Sequence, residues 1–587
     1  MSSCFKPTGK EKRKEMTKRG LLLSILCVCA VVFCGASWVA AQPAKDITEE
    51  VIVGPGSVSV ATKKDIMMSF GALVRFIPTS ESNWDFGMSD KVSGFVFESV
   101  PDYLFKTHSN ESGAVNGGYI RNEDKIYFNA MPQDRKWSFY AALEFDRPID
   151  TDTVDNRGGR GDNSNFGLER LNVSVALPFE TRLHAGWDVW GFDHYDGASM
   201  VYSDDNPGFW LDGTAGDFTY SIGYFKLAET NFQTGLADAL TDAEFSDTDS
   251  DRDLFAGWVQ YKINDNHKVK LFYGFDRIRS VPVGDFLYAL TESARNSDDP
   301  TKQAVASVSG IGTGENADID SHHVAAYYTG KFGPFELMLE GAYQFGSADK
   351  TGLSALGKAE DYDISAYALA ADLAVELKDW FGFSVKPHVG VMYTSGDDNP
   401  NDDNLEGYNG IENAQRFSNY WGGENTIIGD TNLVLGTALY GYLPELYGNG
   451  TPVFTGGLQN FAGQGNGRGD NPGLTMLSVG VTITPKRFII YRTNVNNFWW
   501  NEDVLVQNFV TPVNPATGAP IFTRVESGFV GTEWDNELTV ALHKNMFIKG
   551  QASFFFPGDV IEDVTEALGA KSDDTASRFA AELIWNF

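Results

Sequence analysis

The chain has 587 residues, of which 46 are Lys or Arg and 79 are Asp or Glu, so its formal net charge is −33. Aromatic residues make up 13% and charged residues 21% of the sequence, which excludes a disordered or collagen-like chain. The acidity argues against nucleic acid as a partner, because phosphate binding needs a cationic face.

The first 41 residues have the pattern of a cleaved secretory signal peptide. Six Lys and Arg residues between Lys10 and Arg19 precede an uncharged run from Leu21 to Ala41, which ends in small residues. A single membrane anchor is the alternative, because the run is long enough for one. Beyond this run, no uncharged stretch approaches the ~18 residues that a membrane helix needs.

Cleavage after Ala41 would remove every cysteine, since all four lie in this segment: Cys4, Cys27, Cys29 and Cys34. We therefore expect a mature chain that is held together without disulfides. The segment also holds seven basic residues and two Glu, which leaves 39 basic and 77 acidic residues and a net charge of −38.

From Ile66 onward, apolar and polar residues alternate with the period of a strand that has two different faces. In one such segment Leu337 and Leu339 alternate with Glu336 and Glu340. Eighteen segments share this pattern, near 66–76, 119–130, 137–146, 165–177, 181–190, 207–213, 217–227, 253–264, 267–278, 321–331, 335–345, 363–378, 382–395, 474–485, 487–497, 530–543, 546–556 and 576–587.

The connections between these segments alternate strictly between long and short, giving nine long loops and eight short turns. Short turns such as 265–266 and 544–545 separate long polar stretches such as 279–320 and 396–473. Bacterial transmembrane barrels have this arrangement, with an even number of strands, short periplasmic turns and long extracellular loops. A soluble sandwich, propeller or solenoid would explain the strands but not the sorted loops. The sequence therefore predicts an all-β fold, a transmembrane antiparallel β-barrel of about 18 strands.

Aromatic residues at the strand ends favour the same fold, because membrane barrels carry aromatic girdles at both interfaces. Residues Trp137, Trp380, Phe381 and Trp585 flank short turns or the chain end, and residues Trp190, Tyr393, Trp499 and Trp500 flank long loops. We predict three parts: a signal peptide at 1–41, a short periplasmic segment at 42–65, and a barrel at 66–587 with a long insertion at 396–473.

Several short motifs resemble a known family. They are GTEWD at 531–535, HKN at 543–545, FFFPGD at 554–559 and TSGDDNP at 394–400. Together they are similar to the alginate-export family of outer-membrane barrels and related bacterial porins. The resemblance implies an eighteen-stranded barrel in the cell outer membrane, in contact with lipid and lipopolysaccharide. It also implies that the barrel-assembly machinery recognises a final strand that ends in Phe587.

The inward face of the predicted barrel carries charges of both signs. The candidate pore-lining residues are Arg75, Arg170, Arg182, Lys268, Lys270, Lys386, Arg492, Arg578, Asp188, Asp276, Glu336, Glu340, Asp372, Asp535 and Glu537. Barrels of this size hold water, so such charges set ion selectivity. We therefore expect a channel for small hydrophilic solutes. The alternative is a carbohydrate or polysaccharide conduit of the alginate type, although the resemblance implies a strongly positive lumen for that role.

The insertion at 396–473 is long enough to fold into the pore as a constriction or to cover its mouth. It begins with an acidic run whose carboxylates are candidate Ca²⁺ ligands, Asp397, Asp398, Asp402 and Asp403. The plainer alternative is solvated acid, because the run lacks the spacing of a twelve-residue calcium loop. Deletion of the insertion should change the conductance if it forms a constriction.

No catalytic motif accompanies these features. None of the eight histidines lies in an H-E-x-x-H motif, and no G-x-S-x-G sequence occurs. We therefore expect no enzymatic activity, and no cofactor apart from the Ca²⁺ considered above.

Overall fold

The protein folds into a closed β-barrel of eighteen antiparallel strands. The computed structural model describes residues 58–61, 66–83, 86–87, 91, 117–148, 167–192, 199–204, 206–229, 251–279, 318–350, 359–399, 402–408, 410–413, 472–507, 522–568 and 571–586. The predicted signal peptide and Phe587 therefore lie outside the described residues.

Each barrel strand pairs with its neighbours in sequence. The strands are β1 Ile66–Ser82, β2 Gly117–Pro132, β3 Trp137–Pro148, β4 Gly167–Leu177, β5 Thr181–Trp187, β6 Pro207–Ala215, β7 Phe218–Glu229, β8 Asp251–Asn264, β9 His267–Ile278, β10 Asp318–Phe332, β11 Phe335–Asp349, β12 Tyr362–Val375, β13 Ser384–Thr394, β14 Leu474–Lys486, β15 Ile489–Trp500, β16 Gly528–His543, β17 Met546–Pro557 and β18 Ala576–Asn586. The predicted strand number is confirmed.

The barrel closes where the first strand meets the last. In the β1–β18 ladder Leu73 lies opposite Asn586 and Ser82 lies opposite Ser577. This pairing leaves neither terminal strand with an open edge, so backbone N–H and C=O groups find partners around the circumference.

The N-terminal segment contains a strand that the alternation did not reveal. Residues Val58–Ala61 pair antiparallel with β1, from Val58 opposite Phe70 to Ala61 opposite Met67. They occupy the edge of β1 beyond the end of β18. The segment 42–65 thus includes a short extension of the barrel sheet rather than only a connecting stretch.

Two-residue turns join several hairpins at the end of the barrel with short connections. Gly216 and Gly333 open two of these turns with φ values of +64° and +61°, a backbone region that glycine enters without a steric penalty. A longer connection contains the one-turn helix α1, Lys378–Phe381, which ends at Gly382 with φ +76°. The turns keep sequential strands adjacent, which produces the simple up-and-down order.

The outer wall is apolar and the inner wall is polar or small. On β12 the side chains of Tyr367, Leu369 and Leu373 are exposed, whereas Ala368 and Asp372 on the opposite face are buried. Exposed Val, Leu and Phe side chains continue this apolar outer surface around the barrel. An apolar surface of this extent is stable where lipid covers it. Among the described helices, none is long and apolar enough to span a membrane.

The aromatic residues follow the girdle expectation only in part. Trp137, Trp380, Phe381 and Trp585 are exposed beside the short turns, as a girdle requires. The expectation is wrong for Trp190 and Trp500, which are 4% and 2% exposed and point into the barrel. Both are located at long loops that contribute to the interior, so apolar packing inside the barrel holds them instead of the membrane interface.

Smaller elements cover the end of the barrel that bears the long loops. Helix α2, Asp559–Leu568, contacts β16 and the hairpin formed by Val504–Gln507 and Phe522–Val525. Its buried residues Val560, Ile561 and Val564 join the same apolar cluster as Phe86. Three further short strands, Trp190–Gly191, Tyr202–Asp204 and Glu412–Asn413, form a small sheet, and Asn404–Leu405 pairs in parallel with β12.

Candidate pore and constriction

Two loop segments enter the barrel and lie against its inner wall. The first inner loop comprises the described residues 188–192, 199–204 and 206, and the second inner loop comprises the described residues 395–399, 402–408 and 410–413. Glu412 of the second pairs with Tyr202 of the first, and the amide of Ile411 donates to the carbonyl of Val201 at 2.7 Å. The two loops are therefore joined inside the barrel.

The first inner loop packs its aromatic residues against inward-facing side chains of the wall. The ring of Trp190 lies 4.6 Å from that of Phe225 on β7, and Phe192 lies 5.4 Å from Phe272 on β9. The indole N–H of Trp190 also donates to Ser221 Oγ at 2.7 Å. These rings are almost fully buried, so this sector of the interior is packed rather than open.

Charged wall residues hold both inner loops in place. Lys270 donates to the carbonyl of Phe192, and its ammonium lies 4.2 Å from the ring of Trp258. Glu340 Oε1 accepts the amide of Met200 at 2.8 Å. Backbone groups of a loop have few partners of their own, and hydrogen bonds to ionised groups are the stronger kind. Lys270 and Glu340, both predicted to line the pore, therefore anchor a loop.

The second inner loop is anchored by an ion pair. Arg252 binds Asp276 with Nε to Oδ1 at 3.0 Å and Nη2 to Oδ2 at 2.7 Å. The same Nη2 donates to the carbonyl of Ile411 at 2.6 Å. Tyr408 links the loops again, since its hydroxyl donates to the carbonyl of Met200 at 2.5 Å. Asp276, another predicted pore residue, is thus fully covered.

The opposite sector of the wall carries a continuous charged belt, which runs from β16 through the closure to β4. Arg75 on β1 bridges Glu123 and Glu582, and Lys549 on β17 lies 3.9 Å from Glu582. Lys125 on β2 contacts Glu144 at 2.8 Å and Glu169 at 2.6 Å. The members of the belt are Arg75, Glu123, Lys125, Glu144, Glu169, Arg170, Glu537, Lys549 and Glu582.

Most side chains of the belt are more exposed than the loop anchors, although Glu582 is only 2% exposed. The side chains of Lys125 and Glu144 are 18% and 24% exposed, against 3% and 1% for Arg252 and Asp276. Charged groups that keep part of their surface open on the inside of a barrel need water there. The open part of the lumen therefore runs along the belt.

Beyond the belt, hydrogen bonds among histidine, asparagine and aspartate side chains continue the polar inner wall. His388 on β13 makes hydrogen bonds of 2.8 Å to both Asp372 and Asn494. Asn496 donates to Asp535 at 3.1 Å on the next pair of strands. The predicted residues Asp372 and Asp535 are therefore inward-facing and hydrogen-bonded to their neighbours.

The other predicted pore residues also belong to inward rows or to the first inner loop. Arg182 donates to Ser174 Oγ and to the carbonyl of Arg135, and Lys386 pairs with Glu336. Asp188 accepts from Asn172 at 2.8 Å, and Arg170 lies 3.5 Å from Glu169. Lys268 and Arg492 occupy the inward rows of β9 and β15, and Arg578 is buried on β18. Their contact with the permeating solute stays a prediction.

Sequence reasoning missed two parts of the site. Glu123, Lys125 and Glu144 were not singled out, although each has the strand parity that points inward, as Arg75 does. The aromatic residues of the first inner loop were taken for membrane girdle residues or overlooked, and no periodicity in a loop marks an inward course. Contacts between elements distant in sequence decide both.

Three carboxylates of the second inner loop lie close together at the loop end of the barrel. Asp397, Asp398 and Glu406 each place an oxygen within 4.8 Å of the others. Of the four predicted Ca²⁺ ligands, only Asp397 and Asp398 belong to this group. Asp402 instead accepts the backbone amide of Asn404 at 2.8 Å, and the carbonyl of Asp403 accepts the amide of Asp363. Occupancy by Ca²⁺ stays a prediction.

Burial and neighbouring negative charges act on the carboxyls at and beside this cluster. Burial raises the pKa of Glu406, and the negative charges of Asp398 and Asp402 raise it further. Burial likewise raises the pKa of Glu502, which Asp398 and Asp503 reinforce. A carboxyl with a raised pKa binds its proton more tightly in the folded state, so it reduces stability as the pH rises through that pKa.

The known sequences and structures give the following comparisons. No protein-family model and no curated protein sequence matches this chain. Among solved structures, the vanillate complex of Pseudomonas aeruginosa OpdK aligns over 88% of this chain and 98% of its own, with 8% identity and a TM-score of 0.41. A BenF-like porin from Pseudomonas fluorescens Pf-5 aligns over 89% and 99%, with 10% identity and a TM-score of 0.40. Pseudomonas aeruginosa OpdQ aligns over 89% and 97%, with 11% identity and a TM-score of 0.38.

The acidic cluster generates a prediction about divalent cations. Calcium should bind the purified protein at neutral pH, because a divalent cation relieves the repulsion among the three carboxylates. Asp398→Asn should weaken that binding by about tenfold, or about 1.4 kcal/mol. Isothermal titration calorimetry in detergent measures both values. The control is Asp265→Asn, an exposed carboxylate in a short turn. Absence of calcium-dependent heat with the unchanged protein would contradict the prediction.

The joined inner loops generate a prediction about conductance. Removal of residues 400–471 should raise single-channel conductance by a factor of about two or more, because it removes the described residues 402–408 and 410–413, which occupy lumen that would otherwise carry ions. Trp190→Ala should raise the current noise, since it removes the aromatic contact that holds the first inner loop. Planar-bilayer recording measures both. A deletion variant that folds and conducts as before would show that the loop is no constriction.

Proposed function

We propose that this protein is an outer-membrane channel through which small hydrophilic solutes diffuse. The observation that carries the proposal is the charged belt, which lines one side of a closed barrel while inner loops fill the other side. Charged side chains that are partly open inside a barrel need water. A water-filled passage through a barrel whose outer surface is apolar and faces lipid is a pore. The inner loops set its width.

The composition of the belt supports a preference for cations. Its four basic residues are Arg75, Lys125, Arg170 and Lys549, and its five acidic residues are Glu123, Glu144, Glu169, Glu537 and Glu582. Beside the belt, the lumen wall adds the carboxylates Glu533 and Asp535 on β16 and the bases Arg492 on β15 and Arg578 on β18, so a small excess of carboxylates remains. The acidic cluster at the loop end adds negative charge at the entrance. Fixed charge of one sign along a pore raises the local concentration of the opposite ion.

A polysaccharide conduit of the alginate-export type is the second candidate. Its support is the sequence resemblance in the last sixty residues, and its expected lumen is strongly positive. The belt instead pairs each base with carboxylates, as Lys125 does with Glu144 and Glu169. An anionic polymer would meet repulsion along this wall, so small solutes fit the geometry better. Block of the ionic current by alginate oligomers would reverse this preference.

The location proposed for the protein has its own support and test. The apolar outer surface of the barrel requires a membrane. The leader at 1–41 supports export, and the terminal strand up to Phe587 supports assembly into the outer membrane. Lipopolysaccharide would then contact the outer wall, and the barrel-assembly machinery would bind the final strand. Membrane fractionation of cells that carry the chain, with N-terminal sequencing of the product, tests both location and cleavage.

The belt generates a prediction about ion selectivity. Reversal potentials across a salt gradient should show cations passing more readily than anions. Glu144→Gln should lower the cation-to-anion permeability ratio by about twofold and Lys125→Gln should raise it by about twofold, because each changes the fixed charge of the lumen by one unit. Both side chains are partly exposed, so the barrel should tolerate the changes.

The control for these variants is a charge change outside the belt. Asp134→Asn and Lys136→Gln alter an exposed pair in a short turn, and they should leave the ratio unchanged. Equal shifts for belt and turn variants would contradict the assignment of the belt to the pore. A folded barrel without channel activity would overturn the proposed function itself.

A further inference from the structure

A group of buried, oxygen-bearing side chains lies on the inner wall of β14, β15 and β16. Its members are Ser478 on β14, Asn496 on β15, and Glu533 and Asp535 on β16. In the ladders Ser478 lies opposite Asn496, and Asn496 lies opposite Glu533. Each of the four residues is at most 2% exposed. We refer to these four residues as the wall oxygen group.

Three oxygen atoms of this group have no hydrogen-bond partner among the described residues. They are Ser478 Oγ, Asn496 Oδ1 and Asp535 Oδ1, and all three are buried. The amide N–H of Asn496 is occupied, because it donates to the other oxygen of Asp535 at 3.1 Å. A buried polar atom without a partner destabilises a fold. Three such atoms on adjacent strands therefore indicate that a further group binds them.

The charge of the group points to a cation. The carboxyl groups of Glu533 and Asp535 lie within hydrogen-bond range of each other, and like charges at this distance repel strongly where water is scarce. The inward-facing bases of β15, β17 and β18 in this sector are Arg492, Lys549 and Arg578. None of them forms an ion pair with Asp535 within the described part of the chain.

Apolar packing covers one side of the wall oxygen group. Phe555 on β17 lies opposite Glu533 and is fully buried, and its ring is 5.5 Å from that of Phe86. Both rings belong to the apolar cluster of helix α2, together with Val560 and Ile561. Surroundings of this kind strengthen the attraction of carboxylates for a cation that has lost its water.

We propose that the wall oxygen group is a Ca²⁺ site built into the inner wall of the barrel. The two carboxylates would balance the charge of the cation, and Asn496 Oδ1 and Ser478 Oγ would add neutral oxygen ligands. Calcium binds about 6–8 oxygen atoms in a flexible geometry, and a carboxylate can supply one oxygen or two. The site is separate from the cluster of Asp397, Asp398 and Glu406, which belongs to the second inner loop.

Other positively charged occupants would satisfy fewer of these requirements. A proton shared by the two carboxyls would leave Asn496 Oδ1 and Ser478 Oγ without a partner. Mg²⁺ loses its water reluctantly and usually keeps several water molecules, which this covered position does not admit. A monovalent cation would offset only one of the two carboxylate charges. Calcium therefore fits the charge, the oxygen ligands and the burial together.

Calcium uptake by the full-length barrel tests the proposal. Asp398→Asn with Glu406→Gln disables the loop cluster and provides the background in which the wall site is measured. In metal-free detergent buffer, equilibrium dialysis against Ca²⁺ alone should show about one bound equivalent in this background. Adding Asp535→Asn should weaken the uptake by a factor of about ten or more, because it removes one of two charged ligands. Asp265→Asn, an exposed turn carboxylate, is the control and should leave the uptake unchanged.

Thermal unfolding gives an independent readout with a milder variant. Saturating Ca²⁺ should raise the unfolding temperature of the background protein, because a ligand that binds only the folded state stabilises it. Ser478→Ala should reduce this rise. In the presence of a chelator Ser478→Ala should cause no loss of stability, since Ser478 Oγ has no hydrogen-bond partner in the described part of the protein. A Ser478 with a purely structural role would show the opposite pattern.

Ion selectivity provides a third readout, which rests on the proposed channel function. Bound Ca²⁺ offsets two negative charges of the lumen wall, so it should lower the cation-to-anion permeability ratio of the background protein by about twofold. Asp535→Asn should remove this calcium dependence. Uptake of Ca²⁺ by a folded barrel that passes no current would support the site and contradict the channel.

Two results would overturn the proposal whether or not the barrel conducts. One is a background protein that is folded, as shown by heat-modifiable migration on gels, and takes up no Ca²⁺ or takes up Mg²⁺ in preference. The other is an uptake that Asp535→Asn leaves unchanged.

Discussion

The structure depends on the ladder between β1 and β18, because it leaves no strand edge open to lipid. Hydrocarbon cannot satisfy backbone N–H and C=O groups, so a sheet crosses a membrane only when it closes on itself. Leu73 opposite Asn586 at one end and Ser82 opposite Ser577 at the other bring the two ends of the chain together. Closure also separates an apolar outer wall from a polar inner wall, and every later feature uses one of these two walls.

The inner wall uses its charges for two different purposes. Lys270, Glu340 and the Arg252–Asp276 pair are covered, and they bind backbone groups of the inner loops. The belt around Arg75 and Lys125 keeps part of its surface open. Buried charges need partners to offset the loss of hydration, whereas charges beside water need fewer. The loop anchors and the pore lining are therefore distinguished by what covers each residue, not by residue type.

Near the β1–β18 ladder, both the inner and the outer wall carry polar residues. The charged belt lies on the inside of β16–β18 and β1–β4, and polar residues such as Asn536 and Asp124 lie on the outside of β16 and β2. The opposite half of the barrel is lined inside by aromatic packing and by the covered charges that hold the inner loops. Its outer face is mostly apolar, with an ion-pair cluster of Lys226, Asp253 and Arg277 towards the long loops. The interior is thus asymmetric around the circumference, because the partly open charges of the belt lie near the joint of the first and last strands and the inner loops cover the charges of the other half.

The sequence by itself determined the strand number, the sorted connections and the inward or outward direction of side chains such as Leu369 and Asp372. These follow from a period of two, which is local and which a membrane on one side and water on the other make strict. Only the tertiary structure decided that Trp190 packs inside the barrel and that Glu340 holds a loop. It also decided that Glu123, Lys125 and Glu144 belong to one belt with Arg75. Those outcomes depend on contacts between residues distant in sequence, such as Glu340 with Met200, and alternation along a strand carries no information about which loop will cover it.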